Sequence, residues 1–463
     1  MQEQPGTSLL FRQVQEAYEV LSDPDKRTAY DRRRMQAGLS PQAVFQLKLQ
    51  PSRASLSVDL EEQVVYFLFD IGAGQALENK ARAPLNICLV LDRSTSMQGA
   101  RLEQTKAAAR RMIDILSPDD TLGIVAFSDK AEIVWPSQLI GDPVKAKAKL
   151  SSIQAAGGTE ILQGLKLGLA EIGRGIQSYS INHLILLTDG QTYGDEDQCL
   201  AAAEEAKQHH IGISAMGIGE DWNDVLLDSI ASRSGGMSQY IASTNEIQQF
   251  LRERLQGLSN VYADNVRFVF KSTDQITVRN VFKLSPYIQR LEYASQQVQL
   301  GSLQADASIS GMLELVVSSH PAGLHRLAQL ELVGDIPTVN PNESLVRQDI
   351  AFEFDPESNP NTPAPSHILS ALAKITIFQM QEGALRALES GDVPTATHRL
   401  ETMATRLLDM GEHQLARAAL LEAGRLARSG NLSPAGRKAI KYGTRGLSFT
   451  PSSHDKKEEG KYD

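Results

Sequence analysis

Between residues 86 and about 258, short apolar runs alternate with amphipathic stretches, and no other feature of the chain limits its fold so tightly. The runs fall at 87–91, 121–127, 183–188, 212–218 and 239–242, and the first reads Ile87-Cys88-Leu89-Val90-Leu91 with no polar residue inside it. A strand with water on one face alternates apolar and polar residues, whereas an unbroken apolar run belongs to a strand covered on both faces. Candidate covers are legible too. Residues 101–116 place Leu102, Thr105, Ala109, Met112, Ile113 and Leu116 at helical spacing, and Ser117-Pro118 ends the stretch. Comparable helices fit 143–153, 161–172, 199–209 and 246–258, while 131–135 reads as an edge strand hairpinned to the second run. The alternation predicts an α/β fold with a doubly wound, mostly parallel sheet over residues 84–260.

The flanks follow a different rule. Strand candidates at 45–49 and 64–69 precede this unit, and others at 266–270, 277–282, 312–317, 326–332 and 350–354 follow it without a convincing helix between them. Two strands cannot bury their own apolar face, so segments 44–80 and 262–355 are expected to form one β-sandwich with the α/β domain inserted. Two short connections near Pro84 and Ala263 would then be the only covalent links, so that ligand binding at Asp92 would be able to tilt the inserted domain against the sandwich. Residues 356–365 read as a linker. Residues 366–447 are expected to be a helical bundle, with Ala396, Leu400, Met403 and Leu407 on one face and Leu415, Ala419, Ala423 and Leu426 on another. Its helices should break at Gly391, Gly411 and Gly430. The charged segment 448–463 is expected to be a disordered tail.

A formal charge of −10 argues against a nucleic-acid partner, because binding phosphates needs a surplus of Lys and Arg. Two cysteines exclude a disulfide framework. No apolar run is long enough for a membrane span and the first residues lack a signal-peptide pattern, so the expected location is cytoplasmic.

Directly after the first run stands Asp92-Arg93-Ser94-Thr95-Ser96. Its carboxylate and two hydroxyls are oxygen ligands suited to a hard divalent cation, although the same residues also cap helices. Gly157-Gly158-Thr159-Glu160 opens a later helix, and Asp189-Gly190 closes the third run. In a doubly wound sheet such loops converge outside the carboxyl ends of the strands. With these three segments in this order, the chain resembles the von Willebrand factor A domain family. The resemblance implies a metal-ion-dependent adhesion site in which Ser94, Ser96 and Thr159 coordinate through hydroxyls, while Asp92 and Asp189 act through waters or by bonding those hydroxyls. Mg²⁺ suits such a site best, with Mn²⁺ as a substitute and Ca²⁺ less favoured. Two positions depart from the family pattern: Thr95 stands where Gly is usual, and Glu160 where Asn is common.

The expected function is a metal-dependent protein-binding scaffold that captures an Asp or Glu of a partner protein, and not an enzyme. Neither a Walker loop nor a G-x-S-x-G elbow is present. The alternatives are a chaperone-type adaptor linked to a DnaK-type chaperone or an AAA ATPase, and a metal-assisted hydrolase, for which no general base is identifiable. The adaptor alternative arises from residues 1–37, where the string from Glu16 to Pro24, with Tyr30-Asp31, resembles the last two helices of a J-domain. The His-Pro-Asp loop of that module is missing: His320-Pro321 is followed by Ala322. His209-His210 reads as a helix end rather than a ligand pair.

Overall fold

Three sheets and a helical layer make up the protein, seen in a computed structural model that describes residues 44–74, 82–177, 180–243, 246–272, 276–336 and 345–447. The J-like segment expected over 1–37 and the tail expected over 448–463 lie outside the described residues.

The chain enters through β1 (Phe45–Pro51), β2 (Ser55–Leu56) and β3 (Glu62–Ala73). It then builds the α/β domain: β4 (Leu85–Asp92), α1 (Ala100–Ile115), β5 (Thr121–Phe127), β6 (Ala131–Leu139), α2 (Pro143–Ser151), α3 (Ile161–Arg174), β7 (Ile181–Thr188), α4 (Glu196–Gln208), β8 (Ile211–Ile218), α5 (Asp224–Ser234), β9 (Ser238–Ile241) and α6 (Glu246–Ser259). Strand order is β6-β5-β4-β7-β8-β9, with β6 antiparallel at one edge and the other neighbours parallel. The unbroken apolar run 87–91 within β4 now has its cause. Ile87, Leu89 and Leu91 pack beneath α1, α2 and α6, while Cys88 and Val90 pack on the opposite face against α3, α4 and α5. Burial pushes the thiols of Cys88 and Cys199 above their ordinary range, which leaves both inert.

After α6 come β10 (Val261–Ser272), β11 (Ile276–Lys283), β12 (Gln289–Leu291), β13 (Tyr293–Ala294), β14 (Gln297–Gln304), β15 (Ile309–Ser318), β16 (Gly323–Asp335) and β17 (Leu345–Phe354). Here the two halves of the chain meet. β3 pairs with β1 and, from Ile71↔Ile309 to Glu62↔Ser318, with β15, while β2 pairs with β17. The sandwich core closes through edge-on aromatic pairs, with Phe69 and Phe268 ring centres 5.0 Å apart and Phe67 and Phe352 5.5 Å apart.

α7 (Ser366–Glu389), α8 (Val393–Asp409), α9 (His413–Ser429) and α10 (Pro434–Arg445) form the helical layer. The intervening breaks fall at Gly391, Gly411 and Gly430, each at positive φ. Ile375 and Phe378 of α7 share a core with Leu68, Phe282 and Met312 on the outer face of the sandwich. α10 turns instead to the α/β domain. Lys441 Nζ lies 2.6 Å from both Asp224 Oδ2 and Asp228 Oδ2, and Arg445 grips Asp228 through two nitrogens at 2.8 and 3.1 Å. Tyr442 donates to the same carboxylate at 2.7 Å. The inserted domain is therefore held by a non-covalent contact to α10 besides its two chain connections.

Candidate metal centre

β4 is the first strand of its sheet and lies in the middle of it: the chain runs outward through β5 and β6, then returns on the other side of β4 as β7. The loops leaving β4 and β7 consequently diverge, opening a crevice at their carboxyl ends. Asp92 ends β4 and Asp189 follows β7, and both are buried.

Both carboxylates and both serine hydroxyls in the crevice are oriented by neighbours. Asp92 Oδ1 accepts from the Ser94 N–H at 2.7 Å, and Oδ2 from the Thr188 hydroxyl at 2.5 Å. Ser96 donates to Asp189 Oδ1 at 2.7 Å; its single proton is thereby used, so Ser94 is the donor in the 3.0 Å contact between the two serine hydroxyls. Asp189 Oδ2 meets Arg101 Nη1 at 2.6 Å. Thr159 arrives from across the crevice: a Cβ on Gly190 would stand 2.7 Å from Thr159 Oγ1, so the threonine lies directly against the Asp189 loop. All five expected residues are thus brought to one crevice.

Burial pushes the Asp92 carboxyl up to about 6; hydrogen bonds from Ser94 and Thr188 limit the rise and the neighbouring Asp189 adds to it. The rise comes mainly from desolvation, since the positive charge that Arg101 brings to the crevice is paired with Asp189. Three hydroxyls and two carboxylates are an all-oxygen set, which suits a hard divalent cation. Among the described residues no group of three or more His, Cys, Asp or Glu side chains gathers, so hydroxyls would have to complete any cation site in this crevice.

The departures at positions 95 and 160 have different consequences. Thr95 donates both its N–H, at 3.0 Å, and its hydroxyl, at 2.9 Å, to the Gly157 carbonyl, so it ties the serine loop to the threonine loop. Glu160 occupies the cap position of α3 with its side chain exposed and without a capping bond. Three contributors escaped the sequence reading. Asp129 bonds the Gly158 N–H at 2.8 Å and cradles a turn in which Gly157 adopts φ 82°, a conformation few other residues accept. Thr188 and Arg101 are the others. Thr188 stands one residue before a ligand candidate and so was detectable, whereas Arg101 looks like any solvent-facing arginine in a first helical turn.

The fold and crevice together define a von Willebrand factor type A domain, and residues 86–253 match the model of that family. Residues 366–449 match a second family, the Sll0103-like C-terminal alpha-helical domain. The chain belongs to the family of the protein sll0103 from Synechocystis sp., with which it is 30% identical over 340 residues, 72% of this chain and 80% of that one. Inter-alpha-trypsin inhibitor heavy chain H4 from Bos taurus is 26% identical over 262 residues, which are 52% of this chain and only 28% of the bovine protein. Among solved structures, a von Willebrand factor type A protein from Catenulispora acidiphila superposes with a TM-score of 0.71 over 88% of this chain and 98% of that one, at 17% identity. The ArnB paralog VWA2 from Sulfolobus acidocaldarius gives a TM-score of 0.58 over 88% of this chain and 100% of that one, at 14% identity. At these identities the likeness establishes the fold. Domains of the type A class are in general metal-dependent protein-interaction modules. No described helix is long and apolar enough to cross a membrane.

Proposed function

We propose that the crevice holds Mg²⁺ through Ser94, Ser96 and Thr159, with Asp92 and Asp189 orienting those hydroxyls, and that the protein is a non-enzymatic scaffold capturing an acidic side chain of a partner protein. The observation that carries this reading is the linked pair of serine hydroxyls, 3.0 Å apart, between two buried carboxylates. When bound, the ion supplies an electrophilic position for a carboxylate oxygen. The chain's own residues set how electrophilic it stays: Arg101 already neutralises part of Asp189, and the hydroxyls bring no charge. Tyr193, 81% exposed on the loop after β7, offers an aromatic anchor beside the crevice. Mn²⁺ should substitute and Ca²⁺ bind less well.

The test is titration calorimetry of the full chain with Mg²⁺, Mn²⁺ and Ca²⁺, together with thermal midpoints for the wild type and Asp92→Ala. Binding heat and a metal-dependent rise in midpoint are expected in the wild type and should vanish in the variant. Capture of partners that carry exposed Asp or Glu should require the metal. Absence of both heat and rise at millimolar metal would remove the site, and capture unaffected by metal would remove the acidic-partner reading.

A further inference from the structure

At the end of the α/β sheet opposite the crevice, a cavity of about 350 Å³ separates the type A domain from the sandwich. Its volume falls in the range of small-molecule sites. One wall comes from the amino ends of β7 and β8 and from α6, the other from β11, β14 and the loop before β12.

The unusual feature is the charge. Lys283 and Arg254 line the cavity from opposite walls, and neither forms an ion pair with a carboxylate among the described residues. Arg254 is held by neutral partners: its Nε and Nη2 lie 3.4 and 3.2 Å from His183 Nε2, and its Nη1 lies 3.7 Å from the Met237 sulfur. His183 is kept uncharged, since burial first and Arg254 second hold it well below its ordinary value. Lys283, 8% exposed, donates to the Leu300 carbonyl at 2.6 Å. Burial first, then Arg254, pushes the Lys283 ammonium down to about 8, so the two cations sense each other across the cavity. Lys207 and Arg233 add positive charge at the lining. Of the two lining carboxylates, Asp264 accepts from Ser302 at 2.7 Å and acts on Arg254 only through space, and the exposed Glu253 accepts from Gln249 at 2.8 Å.

A pair of like charges kept in a shielded space with no carboxylate in direct contact, only Asp264 acting on Arg254 through space, is costly, and apolar residues of similar size would serve better as mere filling. We infer that this interdomain cavity is a binding site for a small oxyanion, a phosphate or carboxylate carried on a small molecule, clamped between Arg254 of the type A domain and Lys283 of the sandwich. Such a ligand would cross-link the two domains on the side away from the metal.

The probes are inorganic phosphate and malonate, each compared with chloride at matched ionic strength, using the full chain without added metal. Calorimetry and thermal midpoint should give a saturable response to at least one oxyanion and none to chloride, and the stronger of the two identifies the ligand's chemistry. Charge-assisted hydrogen bonds of this kind are worth about 1.5–3 kcal/mol, so Arg254→Gln and Lys283→Met should each weaken binding by roughly tenfold to a hundredfold. Arg254→Lys should retain part of it, and Asp92→Ala all of it. If Arg254→Gln fails to fold, Lys283→Met and Arg254→Lys still decide. A wild type that responds alike to oxyanions and chloride, or an oxyanion response that survives in the folded cation variants, overturns the assignment.

Discussion

Replacing Asp228 with Asn tests whether the helical layer is fastened to the type A domain by charge. The substitution keeps the shape of the side chain and removes the one negative charge shared by Lys441, Arg445 and Tyr442. Breaking a buried ion pair from one side costs about 3–5 kcal/mol, because the partner charges remain buried. Here Lys441 keeps Asp224 and the Arg445 side chain is 24% exposed, so the lower end applies, about 3 kcal/mol. This corresponds to roughly a hundredfold shift in the equilibrium between docked and undocked α10. Hydrogen exchange reads that opening locally, without requiring the whole chain to unfold in one step. Amides of α10 should exchange roughly a hundredfold faster in Asp228→Asn, with β4 and β7 unchanged. Acid should reproduce the effect. Burial is the largest influence on Asp228 and would raise its carboxyl, yet Arg445 and Lys441 outweigh it and hold the group below its ordinary value. A carboxyl depressed in the folded state contributes stability above its unfolded value of about 3.9, and that contribution is lost as pH falls through the depressed value. α10 should therefore loosen on acidification below that point in the wild type, with a smaller pH response in the variant. Unchanged α10 protection in the variant would refute the electrostatic fastening and leave the apolar contacts of α7 as the anchor.

Further expectations concern the crevice. Thr95→Gly removes the hydroxyl bond to Gly157 and loosens the serine loop, at a combined cost of about 1–2 kcal/mol, so metal affinity measured by calorimetry should fall about tenfold; equal affinity would show that the loop is held otherwise. Gly190→Ala would place a methyl 2.7 Å from Thr159 Oγ1 and should abolish binding heat while the far side of the sheet stays folded; retained heat would argue that Thr159 is not a ligand. Arg101→Met acts in the opposite direction. It frees Asp189 Oδ2 from its only ion pair among the described residues, so cation affinity should rise while metal-dependent partner capture weakens, and a fall in cation affinity would show that Arg101 positions Asp189 rather than competing for it.

The strands that carry the crevice were legible because burial on both faces favours unbroken apolar runs, such as 87–91 in β4 and 184–187 in β7. Other elements were hidden for identifiable reasons. The helix α5 went unread although Asn223 caps it and Leu226, Leu227 and Ile230 line its inner face, because an exposed Val225 and a buried Ser234 blur the apolar stripe. The strand β14 reads Gln-Val-Gln-Leu-Gly-Ser-Leu-Gln, and its inward residues Val298, Leu300 and Leu303 change phase at Gly301, where the pairing with β10 slips. Lys438, Lys441 and Arg445 have the spacing of a solvated helical face. What buries them is an acidic surface more than two hundred residues away, and no local pattern can announce such a contact. The same limit hid Arg101 in the crevice and the Arg254–Lys283 pair, since each acquires meaning only from a residue on another element.

The docking of α10 also bears on how a partner can reach the crevice. Lys438 donates to the Trp222 carbonyl at 2.9 Å and to that of Glu220, and its ammonium lies 4.5 Å from the centre of the Trp222 ring. On the other side of the same loop, Gln191 donates to the Asp221 carbonyl at 2.7 Å. The turn after β8 is therefore pinned from one side by the helical layer and from the other by the loop that follows Asp189. This flank of the crevice is occupied by the protein itself. Exposed groups at the crevice include Thr95 and Ser96 on the serine loop, Glu160 beside Thr159, and Gln191 and Tyr193 on the loop after Asp189. On the proposed reading, a partner carboxylate reaching the exposed Ser96 hydroxyl would come near Glu160, which is next in sequence to Thr159. Like charges repel across that path, and the pairing of Arg101 with Asp189 at the foot of the crevice supplies the nearest compensating positive charge until a metal is bound.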